Sequence, residues 1–139
     1  MMLKRTVRSD FGEVSVRETG VLFARVYPDI TIDIKRAKEY HSLVSYLSKN
    51  RAHCTVIDIT NLKEMSSEAR THLQGISSEW GKTLAVALIT NSFTAKVIGN
   101  FFLSVNKPTY PVKVFTDSLE AHLWARQQYR KRVSRKASY

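Results

Sequence analysis

The chain has 139 residues, of which 43% are hydrophobic, 5 are Gly and 3 are Pro. This length suits one domain with a single core, and the composition argues against a disordered protein. The net charge is +10, and no segment reaches the run of about 20 apolar residues that is needed to cross a bilayer. We therefore expect a single soluble domain over residues 1–139 with no membrane span.

Cysteine usage and the amino terminus bear on the cellular compartment. The only cysteine, Cys54, lies in the apolar run HCTVIDIT, so no intrachain disulfide can form and a buried thiol is expected. The first residues, MMLKRTVRSD, carry charges without the apolar run of a secretory signal. Both features favour a reducing, cytoplasmic location.

The first predicted elements are a hairpin and a helix. EVSVRETGVLFARVY alternates apolar and polar residues on either side of a turn at Gly20, which predicts two antiparallel strands. Asp33 then precedes a stretch with apolar residues at helical spacing, which predicts a capped helix over Ile34–Ser48. His41 lies beside that apolar stripe without a second ligand at i+4, so we expect a packed or half-exposed side chain.

Two continuous apolar runs, HCTVIDIT and TLAVALIT, predict strands that are covered on both faces, as in parallel sheets. The central side chains Ile57, Val86 and Leu88 should therefore be buried. Between the runs, apolar residues at helical spacing predict a helix that begins near Ser66 or Ser67 and stops at Gly81.

The last third of the chain predicts two more helices around a short strand. NSFTAKVIGNFFLSV begins with cap residues and continues with Phe93 on an apolar face, which predicts a buried helix. VKVF predicts a strand, and DSLE is a capping box in which Asp117 caps and Glu120 returns to the backbone. The final helix uses Leu119, Leu123, Trp124 and Gln128 along its buried face and should fray in the basic tail that follows.

The predicted order is ββαβαβαβα, an α/β domain with a mixed sheet and flanking helices. One helix separates each of the last three strands from the next, so these strands should be parallel through right-handed crossovers. The chain has six basic and no acidic residues after Glu120. We expect the tail at about 130–139 to be dispensable for folding and its cations to oppose the negative end of the helix dipole. Nucleic-acid binding through these cations is the weaker alternative.

Candidate site residues lie where the parallel strands end, because ligands of open α/β sheets favour the carboxyl edge. The candidates combine hydroxyl, amide or carboxylate groups with helix N-termini that suit an anion: Thr60, Asn61, Ser66, Ser67, Asn91, Ser92 and Asp117. Helix capping alone also accounts for each of these residues.

Catalytic signatures are missing from the sequence. There is no glycine-rich phosphate loop, GxSxG elbow, HExxH motif or pair of cysteines, and the four histidines are isolated. Asp58 could act as a base, but a carboxylate near a strand end more often caps the next loop. We expect no catalytic residues, no metal and no cofactor, and hence not an enzyme.

Two stretches resemble the SpoIIAA-like or STAS superfamily of anti-anti-sigma factors. In TVIDITNLKEMSSEARTHL, Ser67 matches the serine that is phosphorylated in the bacterial factors, while Ser66 and Ala69 replace the family's aspartate and glycine. AVALITNSFTAKVIGNFF and VKVFTDSLEAHLWARQQ, with Ala121 and Trp124, are similar to uncharacterised SpoIIAA-like proteins. The resemblance covers about residues 11–128.

The resemblance implies a non-enzymatic regulatory domain that docks a protein partner, a kinase or another regulatory protein. The contact surface would be the edge around Ser66 and Ser67, with a homodimer as one arrangement and phosphorylation of Ser67 as one form of control. The alternative for the two serines is an ordinary helix cap. The alternative for the whole domain is binding of a small ligand or lipid headgroup at the same helix N-termini.

Overall fold

The computed structural model describes residues 5–72, 82–91, 93 and 110–137. Its strands are β1 (Thr6–Arg8), β2 (Gly12–Glu18), β3 (Val21–Val26), β4 (Ile30–Ile32), β5 (His53–Asp58), β6 (Leu62–Met65), β7 (Thr83–Ile89) and β8 (Val112–Phe115). Its helical segments are α1 (Ile34–Ser48), α2 (residues 67–72) and α3 (Ser118–Ala137). The rest of the helix predicted up to Gly81, and the predicted helix after Phe93, lie outside the described residues.

The main sheet has six strands in the order β1-β2-β3-β5-β7-β8. The neighbours β1, β2 and β3 are antiparallel, whereas β3, β5, β7 and β8 run parallel. The predicted mixed sheet with three parallel final strands is therefore confirmed. The second strand of the hairpin joins the parallel set as well, because the crossover through α1 returns the chain beside it.

A second, smaller sheet was not predicted. β4 and β6 pair in parallel, with Ile30 opposite Leu62 and Ile32 opposite Met65. Both strands are shorter than the period-2 pattern needs, and LKEM has the composition of a turn. This sheet separates the end of β5 from the start of α2.

Helix α1 has the predicted bounds and cap. The backbone N–H of Arg36 donates to Asp33 Oδ1 at 2.9 Å, and the helix ends at Lys49 with φ at 55°. Its buried face joins a core cluster on one face of the sheet, here the α1-side cluster, which includes Ala37, Val44, Leu47, Val14, Leu22 and Ala24. His41 is half-buried, as expected.

Helix α3 covers the opposite face and continues to Ala137, so the predicted fraying in the basic tail after Gln128 is wrong. The α3-side cluster includes Ala121, Ala125, Val21, Phe23, Cys54 and Val56. Tyr129 and Val133 extend the stripe of Ala121 and Ala125 at spacing four and pack against the same cluster. The sequence pattern did not indicate this stripe, because most residues between and after Tyr129 and Val133 are basic.

The expected burial of the central strands is confirmed in part. Leu88 is buried, whereas Ile57 and Val86 are half-buried. Helix α1 packs mainly against β2, β3 and β4, so it covers the β5 and β7 part of this face less completely. No helix among the described residues is long and apolar enough to span a membrane.

Candidate functional site

The carboxyl edge of the sheet brings three strand ends together. The N–H of Ile59 donates to the carbonyl of Ile89 at 2.9 Å, and the N–H of Thr90 donates to the carbonyl of Phe115 at 2.9 Å. These bonds extend the ladder beyond β5, β7 and β8. The junctions that carry Thr60, Asn91 and Asp117 are therefore neighbours, as their positions after parallel strands predict.

The first junction is a closed turn. Asp58 Oδ1 accepts from the N–H of Thr60 at 2.9 Å, and the N–H of Leu62 donates to the carbonyl of Ile59 at 3.0 Å. Asn61 is exposed at the tip of the turn, and Thr60 is half-buried. The carboxylate of Asp58 thus accepts a hydrogen bond from the backbone of the turn, which agrees with a loop cap rather than with a catalytic base.

Of the two adjacent serines, Ser66 is the cap. Its Oγ accepts from the N–H of Ala69 at 3.1 Å, and its carbonyl accepts from the N–H of Arg70 at 3.0 Å. The N–H of Ser66 donates to the carbonyl of Ile32 at 2.9 Å, next to the Asp33 cap of α1. Helices α1 and α2 consequently begin side by side at the end of the small sheet, away from the tip of β5.

Ser67 occupies the first helical position of α2 and is exposed. Its neighbours Glu64, Glu68 and Lys63 are exposed as well. The hydroxyl that resembles the family's phosphorylated serine is therefore accessible to solvent. It is also distinct from the hydroxyl that stabilises the helix start.

The remaining candidates lie at the starts of the last two predicted helices. Asp117 caps α3, since its Oδ1 accepts from the N–H of Leu119 at 2.9 Å and its carbonyl accepts from the N–H of Ala121 at 3.1 Å. Asn91 is exposed, and Ser92 lies outside the described residues. At this junction the predicted capping role of Asp117 is confirmed.

Three large apolar side chains at this edge face solvent instead of the core. Phe93 is 83% exposed, Leu119 65% and Leu123 43%; together they are called the apolar rim. The sequence assigned all three to buried helix faces, which is wrong. In α3 the small residues Ala121 and Ala125 turn toward the sheet, so Leu119 and Leu123 lie on the outer face.

The described parts of the chain hold few groups with the chemistry of a reactive site. No three His, Cys, Asp or Glu side chains there are placed to hold one metal ion. Cys54 is fully buried, and burial raises the pKa of its thiol to about 12, so it remains a protonated core residue. Burial likewise raises the pKa of Tyr40, whose ring contacts Phe11 edge-on.

Comparisons with known proteins agree with this architecture. The family model of DUF7793, a domain of unknown function, matches residues 15–129. No curated protein matches the chain. A similar solved structure is an uncharacterised protein of the DUF3478 family with a SpoIIAA-like fold from Shewanella loihica PV-4. It has a TM-score of 0.55 and 19% identity over 88% of this chain and 92% of that one. The chain therefore belongs to the DUF7793 family and has a SpoIIAA-like fold.

Proposed function

We propose that this domain is a non-enzymatic regulatory module of the STAS-like type, which docks a partner protein on the apolar rim. The observation that carries the proposal is the exposure of Phe93 and Leu119 at adjacent strand-to-helix junctions. Covering one such side chain is worth about 1.5–3 kcal/mol. A protein surface can supply that cover, and aromatic anchors of this kind are enriched at interfaces.

Charge beside the rim suggests the chemistry of the partner. Asp117 and Glu120 flank Leu119 and are exposed. A partner with an apolar patch bordered by Lys or Arg would match this arrangement, since opposite charges at the edge of an interface favour encounter and orientation. We therefore assign the rim to a basic-bordered protein surface.

Binding of a small ligand at the helix N-termini has less support. The Ser66 hydroxyl and the Asp117 carboxylate already accept from the backbone N–H groups that would receive an anion. The carboxylate also places a negative charge where that anion would lie. The same groups serve a capping role without any ligand.

The test combines partner capture with rim variants and a matched control. A tagged chain identifies a stoichiometric partner, and the purified partner is then titrated with Phe93→Ser, Leu119→Ser and Tyr46→Ser. Tyr46 is 58% exposed on α1, where its hydroxyl accepts from Arg5. Each rim variant should bind at least about tenfold more weakly, whereas the Tyr46 variant should bind as the wild type does. Wild-type affinity in both rim variants would exclude the rim as the docking surface.

The same variants separate a foreign partner from a second copy of this chain. Light scattering measures the mass of the wild type and of Phe93→Ser in solution. A single-chain mass for both is expected. A two-chain mass that reverts to one chain in the variant would instead assign the rim to a homodimer.

Control of docking through Ser67 is the regulatory part of the proposal. Its support is that Ser67 is exposed and is not the cap, so a phosphate there would leave the Ser66 bond in place. Ser67→Asp should abolish partner binding with little loss of stability, whereas Ser67→Ala should bind normally. Equal binding by both variants would leave only the helix start as the role of this segment.

A further inference from the structure

A cleft of about 230 Å³ opens at the opposite, amino-terminal edge of the sheet. It lies between the end of α1 and the starts of β5 and β7, so it shares no residue with the apolar rim. The residues that matter for its chemistry are His41, Ser45, Asn50, His53 and Lys82. It has room for several water molecules or for a small polar ligand.

His53 is the buried polar residue that lines this cleft. Its side chain is only 4% exposed, and Nδ1 lies 2.8 Å from the carbonyl oxygen of Arg51. A carbonyl only accepts, so Nδ1 carries the hydrogen, and burial lowers the pKa of the ring and keeps it neutral. Nε2 therefore carries the lone pair of the ring, and this buried atom has no hydrogen-bond partner among the described residues.

A second buried polar atom lies on the adjoining strand. Thr83 is the register partner of His53, and its Oγ1 also has no partner within the described chain. Buried polar groups in native proteins almost always have a partner, because desolvation without one is costly. Of these two residues, His53 lines the cleft, and its Nε2 is the atom that a polar ligand there would satisfy.

The charge at the cleft favours an anion. Lys82 lines it and is exposed, and the exposed Lys49 and Arg51 flank Asn50 in the chain. No carboxylate is among the described residues that line it. Two carbonyls at the end of α1 already accept backbone hydrogen bonds: the Ser45 carbonyl accepts from Asn50 N–H at 3.1 Å, and the Ser48 carbonyl accepts from Arg51 N–H at 3.0 Å.

We propose that this cleft binds a small hydroxylated anion, with Lys82 pairing with the anionic group and His53 Nε2 accepting a hydrogen bond from a hydroxyl. An anion without a hydroxyl would leave Nε2 unsatisfied, and a neutral polyol would leave Lys82 unused. The volume suits a small free anion. The proposal is independent of docking at the apolar rim.

Glycerol 3-phosphate is the probe and is titrated into the full chain. Sulfate, which has the charge without the carbon-bound hydroxyls, and glycerol, which has the hydroxyls without the charge, are the controls. Nitrogen-15 NMR follows Nε2 of His53 during each titration. Glycerol 3-phosphate should shift Nε2 and bind at least about tenfold more tightly than sulfate or glycerol. No shift of Nε2, or equal affinity for sulfate, would overturn the assignment. Binding of phosphatidylglycerol vesicles without a response to soluble glycerol 3-phosphate would also overturn it.

A matched pair of exposed lysines tests the anion contact. Lys82→Gln should weaken glycerol 3-phosphate binding at least about tenfold, whereas Lys63→Gln, at the far edge, should leave it unchanged. Both residues are exposed, so both variants should retain the wild-type circular dichroism spectrum. Equal effects of the two changes would mean that only the overall positive charge attracts the probe, and the site would be rejected.

Discussion

Replacing Ser66 with Ala should destabilise the protein, whereas replacing Ser67 with Ala should not. The Ser66 hydroxyl accepts from Ala69 N–H at 3.1 Å, and loss of such a cap costs about 1 kcal/mol, within a range of about 0.5–2. Ser67 is exposed and follows the cap, so its truncation should change the free energy of unfolding by less than about 0.5 kcal/mol. The adjacent serines thus form an internal control.

The expected size of the effect can be expressed as a melting temperature. An unfolding entropy of about 2.1 cal/mol/K per residue gives about 0.3 kcal/mol/K for the 139 residues. A loss of 1 kcal/mol should therefore lower Tm by roughly 3 °C, which thermal circular dichroism resolves. Urea midpoints measured on the same variants provide an independent value.

Ser66→Asp supplies the rescue control, because Asp caps helices about as well as Ser. It should retain nearly all of the wild-type stability. An equal loss in Ser66→Ala and Ser67→Ala, or a larger loss in Ser67→Ala, would refute the assignment of the cap. Ser66 would then not be the capping serine, and the proposed control at Ser67 would lose its structural support.

Three further outcomes follow from the packing and charges. Gly12→Ala should cost more than about 2 kcal/mol by urea denaturation, because the added Cβ would collide with the backbone carbonyl of Arg25. The Arg126 hydrogen bonds lower the pKa of Glu18, so their stabilisation is present above the ordinary carboxyl pKa and is lost as pH falls through the lowered value. Both side chains are over one-third exposed, so Glu18→Gln should cost only about 0.2–1 kcal/mol at pH 7, and its stability should converge with that of the wild type as the pH falls through the lowered pKa. Cys54 should resist a thiol reagent at about pH 8 until the protein unfolds, and rapid labelling of the native protein would contradict its burial.

Local patterns determined most of the element order. The cap at Asp33, the span of α1 and the two apolar strands follow from short-range spacing, because capping and periodicity act within a few residues. The capping roles of Ser66 and Asp117 are equally local, although the choice between Ser66 and Ser67 needed the backbone direction at the end of β6.

Local sequence patterns predicted only part of the candidate site. Sequence position placed Thr60, Asn91 and Asp117 at one edge, because parallel strands share their direction. It assigned Phe93 and Leu119 to the core, because helical spacing shows that apolar residues share a face but does not show whether that face meets the sheet or solvent. Which face meets the sheet depends on the small residues Ala121 and Ala125, and thus on close packing between elements.

The sequence by itself therefore determined the fold class, the span of α1, the apolar strands and the caps at Asp33 and Asp117, because periodicity and capping depend on residues that are close together in the chain. The tertiary structure alone decided which apolar side chains remain exposed, where the small β4–β6 sheet separates Ser66 from β5, and that His53 meets the end of α1 across a cleft. These features depend on contacts between residues that are distant in sequence, which no local period encodes. Long-range packing settles them because each element can bury only one of its faces against the sheet.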